Sequence, residues 1–385
     1  PGPGEVLIQM LAWSLNYRDF AVASGHYFGG ALKSSAIPLS DGAGVVAAVG
    51  PGVTRFNEGD RVQSAFFTAW EDGPPKRSIA LGDGMGPGVL AELVVLPESG
   101  VVPMAASLDH AEAACLPCAG VTAWNALHEG PRPLRPGDKV LVLGTGGVSM
   151  LALQIARATG CEVIATSSSD AKLERVRALG AAHTVNYKTT PQWGPWIAQN
   201  LGGVDKVVEV GGAGTAEQSM MALRTQGEVA LIGVLSPEGA PNPRALMMSA
   251  GSMRGIFVGS AAMAKALNAA IDVNQIKPLI GARYGFDQAK EAYDQAWGPD
   301  SLARSTVPIP ATRCTLGTSV VMVTLSPAWR RPSSARSASM PPRLRILTGR
   351  PWPPEPRTRP KPRRSTMAAL ISPSPWRDTM THMGM

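Results

Sequence analysis

The segment from Lys139 to Gly160 reads KVLVLGTGGVSMLALQIARATG and places a glycine-rich turn between an apolar run and a helical pattern. Gly144 permits a tight turn, and Gly146 has no side chain to keep a pyrophosphate away from the backbone. The helix that follows offers free N–H groups and a partial positive charge to such an anion. Ser149 stands where G-x-G-x-x-G has its third glycine, and a small side chain is expected to fit there. The turn predicts a dinucleotide site, whose expected residues are Gly144, Gly146, Gly147 and Val148.

The adenosine end of this site is predicted where the next strand ends, about 20 residues further on. NAD sites place Asp or Glu there to hold the ribose hydroxyls, but the run VIATSSSD puts Ser167 at that point. Without the carboxylate, and with Lys172 nearby, the site favours the 2′-phosphate of NADP. Asp170 is expected to cap the following helix. The alternative reading of Lys172 is a solvated charge on that helix.

Four apolar runs after residue 138 predict the strands of a parallel sheet. They are continuous rather than alternating, as expected when helices cover both faces. Between two of them, Leu173, Val176 and Leu179 recur at helical spacing, and Gly180 is placed to end that helix. This alternation predicts a doubly wound sheet to about Gly259, and it disfavours a plain structural loop at the glycine turn. The runs are KVLVLG, CEVIAT, KVVEV and EVALIGV.

Residues 1–120 show a different pattern of apolar residues. Short apolar or alternating runs are separated by Gly, Pro and Asp turns, a pattern that favours a small β-barrel over a helical bundle. The segment IKPLIGARYGFDQAKEAYDQA, which follows the second domain, is expected to return to the first. The runs of the first domain are GEVLIQML, GVVAAVG, DRVQSAFF and LAELVVL.

The charge distribution separates the body of the chain from its end. The formal net charge is +7, but residues 311–385 hold twelve Arg and one Lys against two acidic residues, and the rest of the chain carries −4. Twelve prolines fall in the last 75 residues. Such a composition buries too little apolar area to offset chain entropy, so residues 309–385 are predicted to be disordered.

The remaining bulk properties point to a cytoplasmic protein without a membrane partner. No apolar run reaches the roughly 18 residues that a membrane span needs. The opening PGPGEV lacks the basic and apolar regions of a signal peptide. Four cysteines in 385 residues do not form a disulfide framework.

Seven blocks in the right order resemble the medium-chain dehydrogenase/reductase family, specifically its zinc-independent quinone-reductase-like and alcohol-dehydrogenase-like branch. The resemblance covers Pro1 to about Ala296. It implies an α/β fold in which a GroES-like β-barrel catalytic domain joins a Rossmann domain, with the active site in the cleft between them, and it implies a homodimer. The expected domains are 1–120, completed by about 265–308, then 121–264 and the tail 309–385. The blocks are PGPGEVLI, SLNYRDF, IPLSDGAGVVAAVGPGVTRFNEGDRV, LPCAGVTAWNAL, GTGGVS, SSSDAKLERVRALGA and GFDQAKEAYDQA.

The resemblance implies no zinc in this chain. Zinc-dependent relatives take a Cys, a His and a Cys from three motifs, where this chain has Asn16, Ser40 and Cys118. One soft ligand of three does not hold zinc tetrahedrally. Cys115 and Cys118 also form a CLPC pair, for which buried structural cysteines are favoured over a redox or metal role.

The resemblance also assigns cofactor contacts residue by residue. Lys172 and Tyr187 match residues that contact the adenosine 2′-phosphate in quinone-reductase-like relatives. Asn16 and Asp19 match a pair that lies near the nicotinamide, whereas Ala21 replaces a tyrosine that is frequent in that branch. The further residues expected beside the nicotinamide and ribose are Thr122, Gly211, Gly233 and Gly259.

Together these features predict an NADPH-dependent reductase of quinones or α,β-unsaturated carbonyls, which accept hydride without a Lewis acid because the charge delocalises. Hydrogen-bond donors would stabilise that charge, and Asp19 and Asp41 would orient them or relay a proton. The alternative for each Asp is a structural hydrogen bond. The candidate donors are Asn16, Tyr17, Ser40 and Thr122.

Two other readings remain open at this point. One is an alcohol dehydrogenase of the same fold that also works without zinc. The other, of a different class, is a scaffold whose basic tail binds RNA, DNA or anionic lipid; few aromatics and no known module disfavour it, so nucleic acid is not an expected partner.

The last segment carries an expectation of its own. In the family, a short strand after the AKEAY helix completes the barrel, and here LARSTVPIPATRC replaces it. The sequence beyond it resembles a gene read in the wrong frame. The barrel is therefore expected to lack its last strand.

Overall fold

The computed structural model describes residues 1–25, 27, 36–76, 80–233, 235, 239–297 and 319–323. Its first part is β-rich, as expected from the short runs bounded by Gly, Pro and Asp. β1 carries the longest alternating pattern, and its inward positions Val6, Ile8 and Met10 are buried. The elements are β1 (Glu5–Leu15), α1 (Tyr17–Ala23), β2 (Asp41–Val49), β3 (Arg61–Ser64), β4 (Leu93–Pro97), β5 (Val101–Pro103) and α2 (His110–Ala114).

Strands and helices then alternate, as the continuous apolar runs indicate. The order begins with a helix that follows a π-helical turn at Leu116–Gly120. The elements are α3 (Val121–His128), β6 (Lys139–Leu143), α4 (Gly147–Ala158), β7 (Glu162–Ser167), α5 (Asp170–Ala178), β8 (His183–Asn186), α6 (Trp193–Leu201), β9 (Val204–Glu209), α7 (Ala213–Met221), β10 (Leu223–Leu231), α8 (Arg244–Met248), β11 (Ser252–Gly255), α9 (Ala261–Asn274), β12 (Ile280–Gly285), α10 (Ala289–Trp297) and β13 (Ser319–Val323).

The second sheet is parallel throughout, in the order β11-β10-β9-β6-β7-β8. The chain leaves β6 first towards β7 on one side and later returns to β9 on the other. The crevice of a doubly wound sheet lies at this reversal, outside the carboxyl ends of the strands. Gly144 follows the end of β6, so the glycine turn lies where such a fold binds its ligand. The predicted Rossmann sheet is confirmed.

The first sheet has seven strands, in the order β12-β13-β1-β2-β3-β5, with β4 paired to β1. β1 pairs antiparallel with β2, β4 and β13, so it is the organising strand of this sheet. β12 comes after the parallel sheet in the chain but joins this one, which is the return expected for the segment around residue 280. The GroES-like domain is thus built from both ends of the described chain.

β13 corrects two expectations. Ser319–Val323 lies in the tail that was predicted to be disordered, yet it pairs antiparallel with β1 and parallel with β12. The barrel therefore has a strand where none was expected. The run SVVMV is β-branched and apolar, which is a strand signal that the Arg- and Pro-rich composition around it obscured. The rest of the predicted tail lies outside the described residues.

The three largest apolar clusters of the described residues lie between these layers. One fills the first sheet and includes Trp13, Leu39 and Met322. Another lies under α4, where Leu151 and Ile155 pack as the helical pattern predicts. The third covers the opposite face of the parallel sheet. None of the helices in the described ranges has the length and apolarity that a membrane span requires.

Met322 offers a test of β13. Its side chain is fully buried in the cluster of the first sheet. We expect Met322→Ala to lower the free energy of unfolding by about 2–5 kcal/mol, because a buried apolar side chain is lost and a cavity remains. Met248→Ala is the matched control, since that side chain is 74% exposed on α8. Equal stability of the two variants in urea unfolding would show that β13 does not belong to the core.

Candidate active site

The glycine turn has the open geometry that an anion site needs. Gly144 has φ +68°, a conformation that L side chains rarely adopt, and an added Cβ at Gly144 or Gly146 would meet no atom within 4 Å. α4 begins immediately after Gly146, so its unbonded N–H groups face this space. The turn therefore fits a dinucleotide's pyrophosphate. Gly147 and Val148 form the first turn of α4.

Ser149 explains why the third glycine is dispensable here. Its side chain is buried, and its hydroxyl donates to the Leu143 carbonyl at the end of β6 (2.6 Å). This bond joins the first turn of α4 to the strand that precedes the glycine turn. A serine hydroxyl thus replaces the close packing of a glycine with a hydrogen bond, and the turn keeps its shape.

The three residues predicted to hold the adenosine phosphate include two that touch. Ser167 ends β7, and its carbonyl accepts a hydrogen bond from the Tyr187 N–H (3.1 Å). Lys172 lies in the first turn of α5, partly buried, and forms no ion pair with a described carboxylate. Lys172 is five residues after Ser167 in the sequence. Its contact with a phosphate remains a prediction.

Asp170 requires a correction. It was expected to cap α5, but Ser169 occupies the N-cap position and Asp170 is the first helical residue. Its carboxylate accepts a hydrogen bond from Asn186 Nδ2 at the end of β8 (2.8 Å). An acid in the first helical turn is still favourable, because it faces the positive end of the helix dipole.

Unlike Gly144 and Gly146, the other glycines predicted to contact the cofactor lie close to other atoms of the protein. An added Cβ would lie 2.3 Å from the Val210 carbonyl carbon at Gly233, and 2.2 Å from Thr215 Oγ1 at Gly211. At Gly259 it would lie 2.6 Å from Met263 Sδ. Backbone packing therefore requires glycine at Gly233, whereas at Gly211 and Gly259 the nearest atoms belong to side chains, which can shift. Their contacts with nicotinamide and ribose remain predictions.

Glu209 was missed by the sequence reasoning. It ends β9 with its side chain fully buried, and its Oε1 accepts hydrogen bonds from the Gly211 and Gly212 N–H groups (2.7 and 2.9 Å). The hydroxyls of Thr215 and Ser219 also donate to this carboxylate. Glu209 thereby fixes the loop that leads into α7. An acid within the apolar run KVVEV was the available signal.

A second group of polar residues lies in the first domain, where two carboxyls are buried close together. Asp19, on α1, accepts a hydrogen bond from the Asn16 backbone N–H (2.7 Å). Asp41, at the start of β2, accepts from the Ser40 hydroxyl (2.6 Å) and from the Cys118 backbone N–H (2.9 Å). The second bond links β2 to the π-helical turn before α3. We call Asn16, Asp19, Ser40, Asp41 and Cys118 the carboxyl cluster.

Burial changes the protonation of this cluster. It raises the pKa of Asp19 to about 6, although the nearby Arg18 charge opposes the shift. It raises the pKa of Asp41 to about 7, against the hydrogen bond from Ser40 and with a contribution from the Asp19 charge. Asp41 is therefore partly protonated near neutral pH.

Asn16 supplies an unused donor. Its side chain lies close enough to both carboxyls to lower their pKa values. Its Nδ2 is nevertheless buried without an acceptor of good hydrogen-bond geometry among the described residues. A buried donor of this kind is costly unless a ligand completes it.

The donor set does not fit a zinc ion. The three positions of the family's metal ligands do come together through Asp41, which binds Ser40 and the Cys118 backbone. Asn16 and Ser40 offer an amide and a hydroxyl, which are poor zinc ligands, and leave Cys118 as the one soft donor at the three positions. Over the ranges that the structure describes, no three His, Cys, Asp or Glu side chains are arranged to hold a metal.

Arg18 is a site residue that the sequence analysis passed over. Its guanidinium donates to the Leu81 carbonyl (2.8 Å) and lies 3.4 Å from the Asp19 carboxylate. It also lies over the rings of Phe66 (4.8 Å) and Tyr27 (5.0 Å). Arg18 stands in the quoted block SLNYRDF, so its charge in a predicted site was the available signal.

Tyr17 and Thr122 differ from the other candidate donors. Tyr17 is exposed on α1, and Thr122 is buried in the first turn of α3. Within the described residues, no hydrogen bond joins either side chain to the carboxyl cluster.

A surface depression of about 710 Å³ between α6, α7 and α8 contains none of the predicted site residues.

Comparison with known proteins identifies the family. The alcohol dehydrogenase GroES-like domain family matches residues 2–106, and the zinc-binding dehydrogenase family matches residues 147–272. A zinc-type alcohol dehydrogenase-like protein of Schizosaccharomyces pombe is 42% identical over 80% of this chain and 91% of its own length. The corresponding protein YogA of Leptosphaeria maculans is 34% identical over 73% of this chain and 82% of its own length.

A solved structure agrees. The crystal structure of an NAD-dependent alcohol dehydrogenase covers 84% of this chain and 93% of that protein, with a TM-score of 0.71 and 32% identity. The chain belongs to the medium-chain dehydrogenase/reductase family. It is an NAD(P)-dependent, alcohol dehydrogenase-like oxidoreductase.

The raised pKa values predict how stability depends on pH. A carboxyl whose pKa is about 7 in the folded state and 3.8 in the unfolded state favours folding fully below about pH 4. That contribution is lost as the pH rises towards 7, because the folded state must then give up a proton that it holds more tightly. We expect Asp41→Asn to lose less stability between pH 4 and 8 than the wild type, by roughly 1 kcal/mol or more.

The amide of this variant can still accept from the Cys118 N–H and donate to Ser40 Oγ, so packing is kept. Glu58→Gln, at an exposed position, is the matched control and should follow the wild type at every pH. Chemical denaturation at a series of pH values measures the difference. Parallel curves for Asp41→Asn and Glu58→Gln would contradict a raised pKa at Asp41.

Proposed function

We propose that this protein transfers hydride from NADPH to a conjugated carbonyl compound, an α,β-unsaturated carbonyl or a quinone, without zinc. The observation that carries the proposal is the carboxyl cluster. At the place where zinc-dependent relatives hold their metal, this chain has a buried amide, a hydroxyl and two carboxyls with raised pKa values.

The chemistry of the two substrate classes explains the preference. When bound, the nicotinamide supplies hydride, and the acceptor gains a negative charge that its oxygen bears. A simple ketone needs strong polarisation to accept hydride, whereas an enone or quinone spreads the charge through conjugation. Donors of ordinary strength are then sufficient. Asn16 Nδ2 is a buried donor that makes no hydrogen bond of good geometry to a described residue, and its proposed role is to bind that oxygen.

The carboxyls have a separate proposed role. Addition of hydride to the β-carbon of an enone leaves an enolate, which needs one proton to give the saturated carbonyl product. An acid with a pKa near the working pH delivers protons most efficiently. Asp41, with a pKa of about 7, and Asp19 beside it meet that requirement. Ser40 donates to Asp41, and its proposed role is to relay the proton.

The proposed preference for NADP depends on the end of β7. Ser167 replaces the carboxylate that holds the ribose hydroxyls in NAD sites, and a carboxylate there would repel a 2′-phosphate. Lys172 and Tyr187 are the proposed phosphate contacts. The NAD-dependent alcohol dehydrogenase with the same fold makes NAD the competing cofactor.

One competing function has an observation in its favour. The relatives are described as alcohol dehydrogenase-like, so a zinc-independent alcohol dehydrogenase is the second candidate. A homodimer and the small-molecule carbonyl or quinone substrate are proposals that derive from the family resemblance, and a cytoplasmic location is a proposal that derives from the few cysteines. The scaffold reading concerns the tail, which lies almost entirely outside the described residues.

Steady-state assays separate the two candidates. We expect NADPH oxidation with enones and quinones to be at least 100-fold more efficient, in kcat/KM, than with saturated aldehydes, a gap of roughly 3 kcal/mol. For enones, Asp41→Asn should lower kcat by about 10- to 100-fold and remove the decline in rate above pH 7, since the variant has no acid to lose. Comparable efficiency with aldehydes would instead support the alcohol dehydrogenase.

Cofactor choice is tested at the end of β7. We expect Ser167→Asp to lower kcat/KM for NADPH at least tenfold while that for NADH is unchanged or improved, because the new carboxylate repels the phosphate and accepts ribose hydroxyls. Lys172→Ala should weaken NADPH alone, by about tenfold. Lys265→Ala, an exposed lysine on α9, is the control. Equal losses for both coenzymes would exclude a phosphate contact.

A further inference from the structure

Arg18 is a buried arginine that uses only part of its hydrogen-bonding capacity. The residue is 7% exposed, and its Nη1 donates to the Leu81 carbonyl (2.8 Å) and lies 3.4 Å from Asp19 Oδ1. Its Nε and Nη2 are buried, and neither makes a hydrogen bond of good geometry to a described residue. Charged donors that are buried without acceptors are costly, so a partner for these two nitrogens is expected.

Arg254 shows how the same protein satisfies an arginine with a structural role. Its Nε lies 3.4 Å from Glu228 Oε1, and its Nη1 donates to Asn125 Oδ1 (2.9 Å). Its Nη2 donates to the carbonyls of Asn125 and Glu129 (2.9 Å each). All three nitrogens of Arg254 are thus used to hold the fold together. The two unused nitrogens of Arg18 therefore distinguish it from a structural arginine.

The two unused nitrogens form one edge of the guanidinium. Nε and Nη2 direct their N–H bonds in parallel, away from the Cδ atom, and this fork binds both oxygens of a carboxylate. Nη1 lies on the other side of the group, and it is the nitrogen that contacts Asp19 and Leu81. A second carboxylate can therefore bind Arg18 without displacing Asp19.

The surroundings hold this guanidinium in place and in its charged form. It lies 4.8 Å from the ring centroid of Phe66 and 5.0 Å from that of Tyr27. The Leu81 N–H donates to the Phe66 carbonyl (3.0 Å), so two contacts of Arg18 are joined to each other. Burial lowers the pKa of Arg18, but Asp19 and then Tyr27 outweigh it, and the pKa is raised. The Tyr27 hydroxyl is close, although not in good hydrogen-bond geometry to Nε or Nη2.

Arg18 and the proposed oxygen-binding donor share one carboxyl. Asp19 Oδ2 accepts from the Asn16 backbone N–H (2.7 Å), and Asp19 Oδ1 faces Arg18 Nη1 (3.4 Å). Both oxygens of Asp19 are thereby engaged, while Asn16 Nδ2 and the Nε–Nη2 edge of Arg18 are left over. An acceptor that binds Asn16 through its carbonyl oxygen can therefore reach Arg18 through a second group a few bonds away.

We propose that the acceptor is an anion: a conjugated carbonyl compound with a carboxylate, which the Nε–Nη2 edge of Arg18 binds while Asn16 binds the carbonyl oxygen. A buried guanidinium has already lost its water, so a bound carboxylate restores interactions that folding removed. The two new hydrogen bonds are charge-assisted and therefore stronger than neutral ones. This inference rests on the proposed function and adds the charge of the substrate to it.

The experiment compares two acceptors with the same reacting group, 6-oxo-4-heptenoate and its uncharged isostere 6-oxo-4-heptenamide. Two methylene groups separate the enone from the carboxylate or amide, so the intrinsic reactivity of the two compounds is the same. We expect the wild type to reduce the acid with at least tenfold higher kcat/KM, mainly through a lower KM, because the amide forms no charge-assisted pair with Arg18. Equal kcat/KM values would overturn the proposal.

Arg18→Lys tests the fork itself. The variant keeps a positive charge beside Asp19 but has no bidentate edge. We expect the ratio of the two kcat/KM values, acid over amide, to fall about 3- to 10-fold. Arg244→Lys, at an exposed position on α8, is the matched control and should keep the wild-type ratio. A structural defect would lower both kcat/KM values equally, and an unchanged ratio in Arg18→Lys would contradict a role for the fork.

Failure of this inference is distinguishable from failure of the proposed function. If the wild type reduces neither compound, the proposed function is wrong, and binding then tests the anion site by itself. Isothermal titration of the NADPH-loaded full chain should give at least a tenfold lower Kd for 6-oxoheptanoate than for 6-oxoheptanamide, and Arg18→Lys should reduce the difference. Equal or absent binding of the two saturated compounds in the wild type would overturn the inference whatever the reaction.

Discussion

The hydrogen bond from the Cys118 N–H to Asp41 is the constraint on which the site depends. It links the start of β2 to the π-helical turn that leads into α3, and so ties the first sheet to the first helix beside the parallel sheet. Its acceptor is a carboxyl removed from water. The same carboxyl therefore organises the backbone and has a pKa that burial raises towards neutral, although the Cys118 hydrogen bond itself lowers that pKa. The fold and the proposed proton transfer both use the Asp41 carboxyl, and both depend on its burial.

Buried charge recurs through the molecule, each time with a different partner. Asp19 has Arg18, Glu228 has Lys206, and Asp205 accepts from Arg132 and Arg224. Glu209 has only hydroxyls and backbone N–H groups. A buried ion is costly unless fully paired, so these groups serve more to fix geometry than to add stability. They lie on helix α1, at strand ends and on neighbouring strands.

Features set by local chemistry were predictable from the sequence. The glycine turn, the strands around it and the helix of α5 follow from residue type and spacing, and the structure has them. Ser149 was expected to fit. Its hydrogen bond to the Leu143 carbonyl was not predictable, because that bond depends on the position of α4 relative to β6. Asp170 was misplaced by one residue, since Ser169 competes for the same cap. β13 was missed because composition over 75 residues outweighed a five-residue strand signal.

For the site itself, the sequence predicted which residues take part but not how they are arranged. Asn16, Asp19, Ser40 and Asp41 could be named from their blocks, but not their mutual contacts or their protonation, which arise from burial across elements distant in sequence. Arg18 and Glu209 were missed for the same reason. The sequence shows that a charged residue lies in a segment expected to be buried, but it does not show which group that residue binds.

β13 has a consequence for biosynthesis. The strand that borders β1 on one side is formed by residues 319–323, so β1 pairs with a strand that is synthesised after the whole parallel sheet. The parallel sheet, whose strands all lie between residues 139 and 255, is contiguous and can assemble meanwhile. The N-terminal segment must then pass through a long interval with an unprotected edge, and pairing at such sequence separation is slow.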